Sequence, residues 1–327
     1  MFEALEPQPP DGLLGLIKAH RADGRLHKID LGVGVYRDAE GRTPVLKAVK
    51  EAERILIETQ TSKGYLGAEG DVGFVERLRP YVFGPSDRLS GRLAALQTPG
   101  GTGALRLGAE LVRRARPNAA VRVGTPTWPN HGPILTAARL RIETHRFADL
   151  DAQRVDFESV RRGLIEADPG DVALLHGCCH NPTGMAFSRD QWREIAALLA
   201  AQKLVPFVDL AYQGLGDGLD EDAWATRLVL EAVDEALVAY SCDKNFGLYR
   251  DRVGALFVLA RDAGAAAKVT SNLAALARVA WSMPPDHGAA VVRIVLEREG
   301  LVARWREELD GMRARINGNR AALAAAH

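Results

Sequence analysis

A chain of 327 residues is long enough for about two domains, and its 42 basic side chains are balanced by 42 acidic ones. That balance argues against nucleic acid or an anionic membrane surface as a partner, and no apolar run approaches the roughly 18 residues needed to span a bilayer. The N-terminus, MFEALEPQPPDG, is acidic and proline-rich and lacks the basic-then-apolar pattern of a signal peptide, so a cytoplasmic location is expected.

Along the chain, Gly100-Gly101-Thr102-Gly103 precedes a helical pattern with Leu105, Gly108, Ala109 and Val112 on one face. Glycines let a backbone approach an oxyanion, and free amides at a helix N-terminus attract phosphate. The same residues would also serve as a tight turn with a helix cap, and no Walker lysine or dinucleotide pattern accompanies them. Short apolar runs at 121–123, 172–175, 204–208, 237–240 and 255–259 predict strands. Ser188 and Gln191 form a capping box for a helix to Lys203, with Trp192, Ile195, Ala196 and Leu199 on its buried face. Buried strands alternating with amphipathic helices predict an α/β fold, a mostly parallel sheet covered on both faces. Leu301, Trp305, Leu309, Met312 and Ile316 then recur at spacings of three and four, a long amphipathic helix.

Cys178, Cys179 and Cys242 do not read as a disulfide framework. His176-Gly177-Cys178-Cys179-His180 matches no usual ligand spacing, so a metal is not expected.

The chemistry gathers at two strand ends. Lys244 follows the run Ala236–Tyr240 in a polar turn, at the sheet edge where α/β proteins bind ligands. Partial desolvation there lowers a lysine's pKa and leaves a neutral amine able to form a Schiff base. Asp209 ends the run 204–208 and is followed by Tyr212; a carboxylate in that position needs a partner. Pyridoxal phosphate requires such a lysine, a carboxylate for its pyridinium nitrogen and an anchor for its phosphate. Arg252 and Ser241, flanking Lys244, are suited to that anchor. Taken alone, Trp128 reads as a buried or interface tryptophan, His131 as a satisfied structural histidine, Arg278 as a surface helix charge, and Asn181-Pro182-Thr183-Gly184 as a good turn.

The segment SCDKNFGLYRDRVG from Ser241 resembles the lysine segment of class I pyridoxal-phosphate aminotransferases, the aspartate and aromatic amino acid group. The resemblance runs in order through LGVGVYRD from Leu31, KGYLGAEG from Lys63, GGTGALR from Gly100 and TPTWPNHG from Thr125. It continues in HGCCHNPTG from His176, VDLAYQG from Val208 and SMPPDHGA from Ser282. It implies a fold type I large domain built on a seven-stranded-type sheet, with residues 1–44 forming an N-terminal arm and small-domain segment. Residues 45–300 would bind pyridoxal 5'-phosphate, and 301–327 would start a long helix leading to a smaller domain. The family helix leads into further residues that include the arginine gripping the substrate α-carboxylate, so an incomplete smaller domain is expected.

The resemblance also assigns roles. Lys244 carries the cofactor and moves the Cα proton, Asp209 faces the pyridine nitrogen, and His131 backs Asp209. Gly100, Gly101, Thr102, Ser241 and Arg252 hold the phosphate, with a serine more common than glycine at position 100. Trp128 stacks on the ring, and Asn181 and Tyr212 bond its phenolic oxygen. Tyr65 reaches the phosphate of a neighbouring subunit, implying a homodimer with shared active sites. Gly34 lies over the substrate, and Arg278 binds a distal carboxylate from the partner subunit. Trp281 and Met283 replace a commoner tyrosine and asparagine beside that pocket. The implied reaction is ping-pong transamination of aspartate or aromatic amino acids with 2-oxoglutarate. The alternatives are a catalytically impaired cofactor-binding fragment, or a lyase or decarboxylase on the same fold.

Overall fold

The computed structural model describes residues 1–7, 12–29, 32, 34–85, 89 and 91–326, with side chains 12–14 excepted. By its internal contacts the chain divides into two compact units, Met1–Pro44 and Val45–His327. The first holds a short 3-10 turn, Phe2–Ala4, and helix α1 (Gly12–Ala22). In it Lys28 Nζ donates to the carbonyls of His20 and Asp23, both at 2.6 Å. Two residues of the LGVGVYRD motif, Leu31 and Val33, lie outside the described residues.

The second unit opens with helices α2 (Lys47–Thr59) and α3 (Val72–Phe83) and strand β1 (Leu93–Pro99), then α4 (Gly100–Ala115), β2 (Ala120–Thr125), α5 (His131–Ala137) and β3 (Arg141–Arg146). A small ribbon, β4 (Ala148–Asp149) and β5 (Arg154–Val155), precedes α6 (Phe157–Ile165), β6 (Val172–His176), α7 (Arg189–Ala201) and β7 (Val205–Leu210). Next come α8 (Leu219–Ala232), β8 (Ala236–Ser241) and β9 (Val253–Leu259), and last α9 (Ala263–Ala280), α10 (His287–Glu297) and α11 (Glu299–Ala325).

The main sheet has seven strands in the order β1-β9-β8-β7-β6-β2-β3, parallel except that β9 runs against both neighbours. The apolar runs read from the sequence are the central strands, and β8 and β9 are buried along their whole length. Helices α4 and α9 pack one face with Leu105, Leu107, Val112, Leu273 and Ala277. On the other face, α6, α7 and α8 contribute Leu164, Ile195, Leu199 and Val229. The capping box of α7 is formed, Ser188 Oγ accepting from Gln191 N at 3.2 Å and Gln191 Oε1 from Ser188 N at 2.9 Å.

Strands β1 and β3 were not among the runs read as strands, although β1 opens on the apolar run 93–96. In β1 the polar Gln97 and Thr98 are fully buried, while β3 is an edge strand, Arg-Ile-Glu-Thr-His-Arg, without a buried residue. The stripe on α11 buries Leu301, Trp305, Leu309 and Met312. Trp305 stacks on Phe246 with centroids 4.5 Å apart and meets Tyr81 edge-on at 5.6 Å.

Candidate active site

Register brings the strand ends together. His176 pairs with Asp209 across β6 and β7, Ser241 pairs with Gly254 across β8 and β9, and Pro99 pairs with Val253 across β1 and β9. The carboxyl ends of β1, β6, β7 and β8 therefore share one edge, where open α/β sheets form their binding crevice.

On β7, Asp209 is 6% exposed and its Oδ2 lies 3.0 Å from Nε2 of the buried His131. The other ring nitrogen of His131, Nδ1, is 2.8 Å from Thr127 Oγ1, which fixes the imidazole in place. Burial alone would push the Asp209 carboxyl up. The hydrogen bond from His131, with the charges of His131, His176 and Lys244, outweighs it and holds the group below the usual carboxylate range. Trp128 lies edge-on to His131, centroids 5.3 Å apart, and packs on the α4 side of the core.

Lys244 sits half-buried in the loop between β8 and β9. Burial lowers its pKa, with Arg252 adding to the effect, against the opposing pull of Asp243 and Asp209. Its Nζ lies 5.6 Å from the centroid of the Tyr212 ring. Asn181 Nδ2 donates to Tyr212 Oη at 3.1 Å, and burial pushes the Tyr212 hydroxyl up to about 12.

A third group surrounds the start of α4, which has no side-chain cap on its free amides. Gly100 adopts φ +67°, a left-handed conformation that suits glycine. A Cβ there would lie 2.7 Å from Arg252 Nη2, and a Cβ on Gly101 would lie 3.1 Å from Ser241 Cβ. Gly254 makes this approach possible: a Cβ on it would meet the Tyr240 carbonyl oxygen at 2.5 Å and the Gly100 carbonyl carbon at 2.6 Å. A guanidinium, a hydroxyl, the neighbouring Thr102 and bare helix amides thus converge where an anion would be gripped.

The donor set fits pyridoxal phosphate: an amine of lowered pKa, an ionised carboxylate backed by histidine, and an anion cradle too tight for side chains. Lys244, Asp209, His131, Trp128, Asn181, Tyr212, Gly100, Gly101, Ser241 and Arg252 form this one neighbourhood. Tyr65, 96% exposed, and Arg278, also exposed with its guanidinium bonded to Ser282 Oγ, are not among the buried side chains around Lys244. They belong to segments that touch, since Leu66 N donates to Met283 Sδ at 3.1 Å. Gly34 is an exposed residue of the first unit.

Three neighbours were given no part in this site from the sequence, His176 and His180 having been weighed only as metal ligands. Asp243 bonds Arg252, His176 lies 5.2 Å from His131 ring to ring, and His180 lies 4.3 Å beyond, stacked on Phe147. Both histidines stand in the HGCCHNPTG motif, but only the register of β6 against β7 shows what they face. Among the described residues, two sets bring possible ligand atoms within 4.8 Å of one another: His131, His176 and Asp209, and Cys178, Cys179 and Asp222. Only part of each set is already engaged. His131 is bonded through both ring nitrogens, and the Asp222 carboxylate accepts from the N–H groups of Gly214, Gly216 and Asp217. The three cysteines are free.

Residues 27–326 match the family model for aminotransferase class I and II. The chain is 53% identical over 324 residues to tyrosine aminotransferase of Rhizobium meliloti, covering 99% of this chain and 83% of the relative. It is 43% identical to aspartate aminotransferase of Haemophilus influenzae, over 97% of this chain and 80% of that one. A crystal structure of aromatic-amino-acid aminotransferase from Burkholderia pseudomallei, covalently bound to pyridoxal phosphate, superimposes with a TM-score of 0.96 at 38% identity, over 99% of this chain and 82% of that one. These shares say which residues correspond and not how either chain ends, so the expectation of an incomplete smaller domain is left unsupported.

Proposed function

The chain belongs to the aminotransferase class I and II family and is a pyridoxal-phosphate-dependent transferase that performs transamination; from that premise we propose that it acts on aromatic amino acids and aspartate, with 2-oxoglutarate as amino acceptor. Its amino acid and 2-oxo acid substrates follow from the family, and the narrower choice is supported by the relatives, which act on tyrosine and aspartate by name. The observation that carries the assignment of residues is the pairing of opposed ionisations in one crevice, Lys244 lowered towards the neutral amine and Asp209 held ionised.

When bound, pyridoxal phosphate supplies an electron sink that acidifies the Cα–H of an attached amino acid. The chain supplies the rest. The Lys244 amine is the attachment point and, once released, the base that takes and returns the Cα proton at its Nζ. Asp209, fixed by His131 and Thr127, offers a carboxylate to the ring nitrogen and keeps a proton there. Asn181 and Tyr212, already bonded to each other, present donors to the phenolic oxygen, and Trp128 offers its face to the ring. Gly100, Gly101, Thr102, Ser241 and Arg252 anchor the phosphate.

Tyr65 and Arg278 are exposed in the single chain, as are the apolar Val279 and Ile57, at 88% and 76%. These observations support a homodimer in which each subunit lends Tyr65 and Arg278 to its partner's site. The substrate role of Gly34 is carried by the motif resemblance alone. A cytoplasmic location belongs to the same reading; among the described residues no helix is long and apolar enough to cross a membrane.

The test is the visible spectrum of the chain mixed with pyridoxal phosphate, followed by aspartate, glutamate, tyrosine or phenylalanine. A band that forms on mixing, shifts with these amino acids and is absent in Lys244→Ala supports the assignment. Release of pyruvate or alanine from aspartate without an oxo-acid acceptor would overturn it in favour of decarboxylation or lyase chemistry.

A further inference from the structure

The cation at the mouth of the glycine turn already has an anionic partner inside the fold. Asp243 lies in the loop between β8 and β9 and is 1% exposed. Its Oδ1 accepts from the Val253 N–H at 3.0 Å, and its Oδ2 takes the Arg252 guanidinium. That same Oδ2 is 2.9 Å from the position a Cβ on Gly100 would occupy, with Arg252 Nη2 at 2.7 Å. The carboxylate thus stands within the cradle. Arg252 is held there with φ +56°, a conformation that a non-glycine residue keeps only when its surroundings impose it.

A phosphate drawn to Arg252 and the amides of α4 meets this fixed negative charge. We propose that Asp243 competes with the cofactor's phosphate for Arg252, so that capture of the phosphate is coupled to uptake of one solvent proton by the Asp243 carboxylate. This rests on the reading of the glycine turn as the phosphate anchor.

The argument is one of charge and burial. Sharing Arg252 with a dianion leaves Asp243 a buried, under-compensated carboxylate, which is strongly unfavourable, whereas protonation removes the charge and adds an O–H donor that can face the phosphate. The charged or titratable groups that face it are Arg252, Lys244 and Cys242; Gly100 on α4 and Val253 on β9 present only backbone. Burial already pushes the Asp243 carboxyl above its ordinary range, although Arg252 and Lys244 both pull the other way. Affinity for a phosphate-bearing ligand should therefore fall as pH rises through the titration of Asp243. Its neutralisation also removes a charge that holds the Lys244 pKa up, which favours the nucleophilic amine.

The test compares dissociation constants of pyridoxal phosphate and of pyridoxal, which lacks the phosphate, for the full-length apo-protein and for Asp243→Asn and Asp243→Ser. Sulfate, a dianion that does not itself titrate between mildly acid and neutral pH, is measured as a competitor of pyridoxal phosphate over that range. The preference for pyridoxal phosphate over pyridoxal should rise about tenfold in the variants, the scale of one charged hydrogen bond, and wild-type affinity for sulfate should fall as pH rises. An unchanged or smaller preference in both variants, or sulfate affinity that does not vary with pH, overturns the proposal. If the variants do not fold, the wild-type sulfate series decides it. A folded wild-type chain that binds neither pyridoxal nor its phosphate would instead sink the cofactor-site reading itself.

Discussion

Asp209 is held at the end of β7 by His131, and that arrangement separates geometry from charge. Removing the carboxylate in Asp209→Ala leaves His131 Nε2 without its partner and the pyridine nitrogen without an anion. Asp209→Glu keeps the charge but displaces it by one methylene. We expect Asp209→Ala to lose cofactor on dialysis and to fall roughly a thousandfold in transamination rate, the scale of a lost preorganised charge in a catalytic site. Asp209→Glu should retain more of both. Dialysis followed by rate measurement checks this, and equal losses in the two variants would show that the ionised carboxylate is not what matters. At this scale Lys244 and Asp209 were legible as chemistry at strand ends and Arg252 as a flanking guanidinium, while Asn181 read as a turn residue and was drawn to the site by the resemblance alone. The sequence gave Asp243 no role and weighed His176 only as a metal ligand, because the significance of both lies in what faces them across the crevice.

Elements set the precision of the cradle. Helix α4 enters directly from β1 without a loop, and its first residue abuts β9 where that strand passes β8. Gly254→Ala would drive a methyl group into the backbone of Tyr240 and Gly100, contacts that no rotamer change can relieve. The expected result is a folded but destabilised chain, by about 1–3 kcal/mol, whose preference for pyridoxal phosphate over pyridoxal is reduced because the amides of α4 are displaced. Chemical denaturation and ligand titration together check this, and a stability loss with unaltered phosphate preference would show that the helix start does not grip the phosphate. Helices with a regular apolar stripe, such as α7 and α11, were legible from periodicity. Strands β1 and β3 were not, since β1 buries the polar Gln97 and Thr98 and β3 is an edge strand with polar residues on both faces, so neither alternates as a half-buried strand does.

Across the whole molecule, the central sheet traps several imidazoles in their neutral form. Burial pushes His145 and His176 down to about 4 and His180 down to about 3, from an ordinary 6.5. Buried ring nitrogens without partners, Nδ1 of His145 and Nε2 of His176, accord with that neutrality. In the unfolded chain these groups gain protons near pH 6.5, while in the fold they resist until about 4 or below. The unfolded state therefore binds more protons throughout that window, so stability is fully present above about 6.5 and declines as the pH falls towards 4. Thermal midpoints across this range should drop progressively on acidification; a flat profile down to about 4 would show that the histidines are charged in the fold. The parallel sheet with helices on both faces was legible from alternating buried runs, while the antiparallel placement of β9 was not, because apolar runs carry no direction.

The long helix at the end of the second unit has a spectroscopic consequence. The Trp305 indole N–H donates to the Asn245 carbonyl at 2.8 Å, and its ring lies flat on Phe246, so it is tied to the two residues that follow Lys244. Tryptophan emits where pyridoxyl chromophores absorb, so the indole is a built-in optical gauge of the lysine loop. Read above the emission of the four other tryptophans, Trp128 among them, its quenching would register loading of Lys244 without any added label, and its spectral position would register whether α11 stays seated as the cofactor arrives.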